Sequence, residues 1–307
     1  MTQYIIRRIL QMIPVTFGIL TLVFALIHLI PGDPAIQIAG ENARPEDVAQ
    51  VRHELGLDKP LWAQYIAYLG NLARGDLGTS FRTREKVATE IMARYPATLE
   101  LAFGGMIVAI LVALPLGIIS AIYRSSWIDN VARFFALIGV SMPSFWFGPL
   151  LIIAFAIHFQ WFPVSGRDEG LRSLVLPSLT MGLALAAILT RMIRVSLAEE
   201  LNQLYFTTAI AKGVTRRKAI FVHAMKNALI PVVTILGLQF GSLLTGAIIT
   251  EQIFSWPGLG RLLIQSISTR DYPQVQASIL VIALTYIIIN FLTDLTYGII
   301  DPRIKYD

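Results

Sequence analysis

Of the chain's 307 residues, 55% are hydrophobic and 15% are charged, whereas soluble domains carry about a quarter of their residues as Asp, Glu, Lys and Arg. Arranged in blocks, that deficit makes lipid rather than water the main solvent, and the absence of cysteine excludes disulfides and Cys-based metal or redox centres. The net charge of +5 suits the cytoplasmic loops of a membrane protein and needs no nucleic acid to explain it.

The first apolar run, about 9–30, follows Arg7 and Arg8. It is too long for the apolar region of a secretory leader, and PGDPA follows it in place of a small-residue cleavage site, so it predicts a retained span. Residues 31–94 form the one sizeable segment outside the membrane. Within it, ARPEDVAQVRHELG starts a helix at Pro45, places Glu46 and Asp47 in the first turn and stops at Gly56. LWAQYIAYLGNLARG predicts a second helix with Leu61, Tyr65, Leu69 and Leu72 on one face and Gly75 as terminator. So small a unit holds a core poorly alone, and it is expected to rest on the outer membrane face or on a partner.

The rest of the membrane part follows over 95–298, with five further runs at about 98–123, 134–158, 174–194, 228–250 and 277–300, each long enough to cross a bilayer as helix. Pro115, Pro143, Pro149, Pro177 and Pro231 lie within or at the start of these runs, where bends are common in transporters. With the N-terminus inside, the inner segments 1–8, 124–133, 191–227 and 301–307 carry 2, 2, 7 and 2 Lys/Arg, and the short outer loops 159–173 and 251–276 carry 2 each. The charge rule therefore predicts an all-α protein of six transmembrane helices, N-in and C-in, with a short cytoplasmic end at 299–307.

Catalytic constellations are missing. His28, His53, His158 and His223 are scattered without a metal-binding spacing. There is no G-x-x-x-x-G-K-[ST] and no G-x-S-x-G, and the G-x-G of WPGLGR follows a span and lacks its third glycine. No catalytic residue, metal or chain-bound cofactor is expected. Inside the spans, Arg191 lies near the end of the fourth, and Asp294 lies in the sixth with Asn290 one turn earlier. An intramembrane carboxylate is a functional candidate. Asp294 reads either as the coupling group of an ion-driven carrier or as a structural hydrogen-bonding residue. Gln239, Ser141 and Ser144 are candidates, with Asn290 and Asp294, for the polar lining of a pathway.

The cytoplasmic segment 195–227 is far longer than a turn requires. SLAEELNQLYFTTAIAKG predicts a helix; Ser196 and Glu199 stand at capping-box spacing, which marks either its start or an internal bend of a helix continuing from the membrane, and Leu197, Leu201, Leu204, Tyr205 and Thr208 form an apolar stripe. Lys212 falls in its last turn and Gly213 takes the left-handed position beyond it. Thr215 then starts a second helix reaching Asn227. Arg216, Arg217 and Lys218 occupy that helix's positive end, which costs each about 0.3–1 kcal/mol. Anionic lipid headgroups or an acidic groove on a cytoplasmic partner are the two candidates to offset that cost.

YFTTAIAKGVTRRKAIFVHAMKNALIP resembles the cytoplasmic EAA loop of ATP-binding-cassette importer permeases of the dipeptide/oligopeptide/nickel type. The likeness extends through RRILQMIPV, HLIPGDPA, ELGLDKPLWAQY, GDLGTSF, PATLEL, GVSMPSFWFG, FSWPGLGRLL, RDYPQVQA and DPRI, and is greatest to the first permease of the pair, the dipeptide or glutathione type. It implies a type I importer permease fold in the cytoplasmic membrane of a prokaryote. It also implies a second homologous permease, two cytoplasmic ATPases that bind ATP and Mg, and an extracytoplasmic solute-binding protein. Ala209 and Gly213 match the motif's small-residue and glycine positions. Thr207 stands where the general motif has Glu, and Met225-Lys226 where it often has Leu-Pro. Arg216, Arg217, Lys218, Lys226 and Asn227 then join Lys212 on the surface expected to meet an ATPase.

Overall fold

Long uncharged runs leave a backbone in lipid few ways to pair its own N–H and C=O groups, and a helix pairs them all within one segment. The computed structural model, which describes residues 2–29, 34–39, 43–54 and 56–300, accordingly holds helices and no strand among them, with a single bridge between Thr79 and Lys86. In chain order these are α1 Thr2–Leu29, α2 Pro34–Ala39, α3 Pro45–Glu54, α4 Leu61–Ala73, α5 Val87–Ile122, α6 Trp127–Ser141 and α7 Ser144–Leu151. There follow α8 Leu171–Glu200, α9 Leu204–Ala211, α10 Arg216–Lys218, α11 Met225–Ala228, α12 Ile230–Ile253, α13 Leu259–Ser268 and α14 Tyr272–Ile300. Helix α7 passes into a wider π turn at Ile152–His158, and another π turn, Ala219–Ala224, joins α10 to α11.

Among the described residues, five helices are long and apolar enough to cross a membrane, and a bent pair makes a sixth candidate. The expected span at 134–158 is that pair. It breaks by 103° between Trp127–Gly139 and Ser144–His158, where Pro143 lacks the N–H needed to continue α6 and holds an extended ψ of 137°. The helix expected at 98–123 begins at Val87, and the one expected at 174–194 runs from Leu171 to Glu200. Both overshoot because a helix does not end where its apolar run ends. The residues 299–300 close α14, and 301–307 lie outside the described residues.

Two compact units make up the chain. In the core unit, Ala97–Arg261 with the segment from Ile288, small residues let α5 and α8 approach backbone to backbone. A Cβ on Gly182 would sit 2.6 Å from the Gly105 carbonyl oxygen, so only glycine fits. Ala102, Ala109 and Ala113 of α5 are fully buried in a cluster with Leu185, Leu189, Val232, Leu243 and Trp256. Packing of this kind holds helices together where lipid removes the hydrophobic drive. The WPGLGR segment is knitted in by a buried carboxylate. Glu251 is 0% exposed and accepts from Thr98 Oγ1 at 2.6 Å and from the Arg261 amide at 2.9 Å. The Trp256 indole donates to the Ala97 carbonyl at 2.8 Å.

The other unit comprises Thr2–Pro96 and Leu262–Ile287. Helix α3 begins at Pro45 with Glu46 and Asp47 in its first turn. Gly56 and Gly75, with φ of 66° and 77°, follow α3 and α4 as the sequence requires. Buried Asp271 staples the 80–82 loop, accepting from Ser80 Oγ at 2.5 Å and from the Phe81 and Arg82 amides at 3.1 and 3.4 Å.

Candidate functional site

The basic segment between α8 and α12 is built differently from its expected pair of helices. Helix α8 ends at Glu200, residues 201–203 turn, and Gln203 is extended with ψ of 149° before α9 begins. Ser196 and Glu199 therefore lie inside α8, and no capping box forms there. The turn also resets the helical phase, so the expected stripe splits. Leu197 is fully buried, whereas Leu204 is 85% exposed. The anchor is Phe206, which the stripe left out. It packs with Leu197, Ala198, Ala219, Ile220 and Met225, and with Ala121 from the end of α5.

Gly213 has φ of 85° with open space around it, so the left-handed backbone alone demands glycine. Its amide bonds the Ile210 carbonyl at 2.9 Å, and the Val214 amide bonds Ala209 at 3.1 Å, which closes α9. Thr215 is extended ahead of α10 but makes no side-chain cap. Thr207, Lys212, Arg216, Arg217, Lys218, Lys226 and Asn227 are exposed and Ala209 is half-buried. Among the described residues, none of those five cations enters an ion pair. Interleaved with them are exposed Ile210, Phe221 and Val222. The result is a mixed apolar and cationic surface on a packed base, suited to an acidic or apolar protein groove.

Two polar groupings near this surface were not singled out from sequence. Glu200 accepts the Tyr205 hydroxyl, and Asn227 Nδ2 lies 3.5 Å from the same carboxylate. Burial, reinforced by that hydrogen bond to Glu200, pushes the Tyr205 phenol up to about 12. Asp129 is fully buried and accepts from Arg194 Nε at 2.6 Å and Nη2 at 2.8 Å, from Ser120 Oγ at 2.5 Å and from the Ser125 amide at 3.0 Å. Arg191, the basic residue expected to matter in this helix, is exposed; Arg194, one turn later, carries the pair. Spacing gives one hint: Ser126 accepts from the Asp129 amide, an N-cap legible three residues ahead.

The expected pathway residues are less unified. Gln239 and Ser144 are half-buried and Ser141 is exposed. An apolar cavity of about 320 Å³ lies beside the break, lined by Met142 and Phe147 but by neither serine. Asn290 Oδ1 is buried without a partner among the described residues, while half-buried Asp294 has one.

Residues 113–306 match the family described as binding-protein-dependent transport system inner membrane component, and residues 1–102 match the N-terminal component of the same system. The chain belongs to that permease family. The dipeptide transport system permease protein DppB of Escherichia coli K12 is 44% identical to the permease over 100% of this chain and 99% of its own length. The glutathione transport system permease protein GsiC of Escherichia coli O6:H1 is 44% identical over 100% of both chains. Among solved structures, an amino acid ABC transporter matches with a TM-score of 0.56 at 17% identity, covering 69% of this chain and 94% of its own. The MetNI methionine ABC transporter matches with a TM-score of 0.56 at 16% identity, covering 69% and 96%. These two share the fold, that of a type I ABC importer permease. The permease is an integral membrane protein of the dipeptide/glutathione type within that family. An ion-coupled carrier built on Asp294 finds no support among these relatives.

Proposed function

We propose that the permease forms half of the membrane pathway of an ATP-driven importer for dipeptides or a similarly small peptide such as glutathione. It works beside a second, homologous permease in the cytoplasmic membrane of a prokaryote, in N-in/C-in orientation. An extracytoplasmic binding protein delivers the solute. The chain itself catalyses nothing: two partner ATPases bind ATP and Mg and hydrolyse the nucleotide. The observation that carries this reading is 44% identity over the full length to a dipeptide and a glutathione permease, together with the exposed cationic and apolar surface on the loop between α8 and α12.

Mechanically, the surface built on α9 to α11 docks in a cleft of an ATPase, with Lys212, Arg216, Arg217, Lys218 and Lys226 as its cations. Thr207 leaves the usual acid of the loop absent, so basic residues take over part of the grip. Because Phe206, Ala219 and Met225 pack on Leu197 of α8 and Ala121 of α5, ATPase closure moves the ends of both helices with the loop. Gln239, Ser141, Ser144, Asn290 and Asp294 are the proposed polar contacts of the solute along its path.

Reconstitution tests the proposal. The complete importer in proteoliposomes is expected to take up labelled dipeptide or glutathione only with internal ATP and the binding protein present. Uptake of neither, with an active ATPase and a ligand-loaded binding protein, would overturn the solute class. Uptake driven by an ion gradient without ATP would overturn the mechanism.

A further inference from the structure

Helix α4 is inside out for a water-exposed helix. Its thirteen residues, Leu61–Ala73, contain no charged side chain and none is buried; it turns half-buried Gln64 and Tyr65 toward α1 while its large apolar residues Leu61, Trp62 and Ile66 are exposed. Gln64 donates to the Lys59 carbonyl at 2.8 Å and lies 3.3 Å from His28 Nε2. The Tyr65 hydroxyl meets Thr21 Oγ1 at 2.7 Å, and its ring packs on Phe24 with centroids 5.1 Å apart. Leu61, Trp62 and Ile66 point outward, 58%, 68% and 61% exposed. A soluble helix of the same length turns its polar residues out and its apolar stripe in.

The neighbour it rests on explains the inversion. Thr21 and Phe24 belong to the stretch of α1, Ile5–Ala25, that is apolar enough to cross a bilayer, and only 6% of that window is buried. Leu22 on the same helix is 60% exposed. The bare faces of α1 and α4 belong to two packed helices, and a helix in hydrocarbon needs no partner for its backbone. Charges flank α4 without entering it, with Asp58 and Lys59 before it and Arg74 and Asp76 after it. Tryptophan at an exposed helix end is the side chain favoured at the headgroup level.

We infer that α4 is a lipid-embedded helix, seated beside the C-terminal half of α1 in one leaflet of the bilayer, with Leu61, Trp62 and Ile66 against acyl chains. Its occupant is lipid rather than a binding protein or the second permease, because the exposed face is apolar without charge and continues that of α1. Of the segment 31–94, this helix is then part of the membrane domain.

The chain's lack of cysteine makes the test direct. Trp62→Cys, Ile66→Cys, Leu22→Cys and Arg84→Cys are spin-labelled singly in the complete importer in nanodiscs, with cysteines removed from the partners. Collision with oxygen is compared with collision with a water-soluble nickel chelate. Expected is a several-fold preference for oxygen at 62 and 66, as at 22, and the reverse at 84. Preference for the chelate at 62 and 66, or shielding from both probes as under a protein partner, would overturn the inference. Should a labelled variant fail to assemble, the unlabelled complex in bromolipid provides a second reading. Part of the bromolipid-quenched tryptophan emission is expected to be lost in Trp62→Phe, and quenching unchanged by that substitution would overturn the inference as well.

Discussion

The carboxylate of Asp129 meets four donors, and two of them come from one guanidinium that is itself 18% exposed. A bidentate pair of this kind repays desolvation only while both partners are present, and removing one leaves a stranded buried charge. Asp129→Ala is therefore expected to cost on the order of 3 kcal/mol. Arg194→Lys should recover only part of that contribution, because a point-charge ammonium cannot reproduce the planar fork. Thermal unfolding in detergent checks both, and an Asp129→Ala protein as stable as the parent would show that the pair adds nothing. Residue-scale contacts of this type are the least legible in sequence. Asp129 and Arg194 are 65 positions apart, and no periodicity links them. What the sequence does display is local: the N-cap spacing of Ser126 and Asp129, and the positive φ demanded of Gly213.

At the scale of elements, the order and character of the helices follow from uncharged runs, while their breaks do not. The turn at 201–203 interrupts a stretch that holds no glycine or proline to mark a break, and it is tertiary burial of Phe206 that decides the new phase. Likewise the π turn at Ala219–Ala224 has no sequence marker; it places Ala219, Ala224 and Met225 together on the buried side. Glycine and proline positions were readable because their backbone limits are intrinsic. Gly213→Pro sets a φ near −65° where 85° is needed, and should unseat α10 from α9. Arg216→Glu with Arg217→Glu leaves the fold alone, since both side chains are exposed and make no ion pair among the described residues, but inverts the docking charge. Both changes are expected to abolish ATP-dependent uptake while the protein still accumulates in the membrane. The check is proteoliposome uptake beside an immunoblot of the membrane fraction, and normal uptake in either variant would rule out the loop as the coupling surface.

For the whole molecule, the bent pair α6–α7 controls the parity of everything after it. If the pair crosses the bilayer, the loop at 159–170 and the segment around Asp76 face one side, and the 201–229 loop faces the other with the Tyr123–Ser126 turn. If it turns back instead, 159–170 joins 123–126, and the five cations of the 201–229 loop lie opposite Arg7, Arg8 and Arg124. Positive charge near short spans sets orientation, and only the crossing arrangement gathers these cations on one face. Single cysteines decide between them. With the rest of the importer cysteine-free, Asp76→Cys and Asp168→Cys are expected to react with an impermeant maleimide on intact cells. Ser125→Cys and Lys212→Cys should react only after permeabilisation. A re-entrant pair would leave Asp168→Cys silent and make Lys212→Cys reactive from outside, which would separate the coupling loop from the cytoplasmic ATPases and leave it no energy source to dock on.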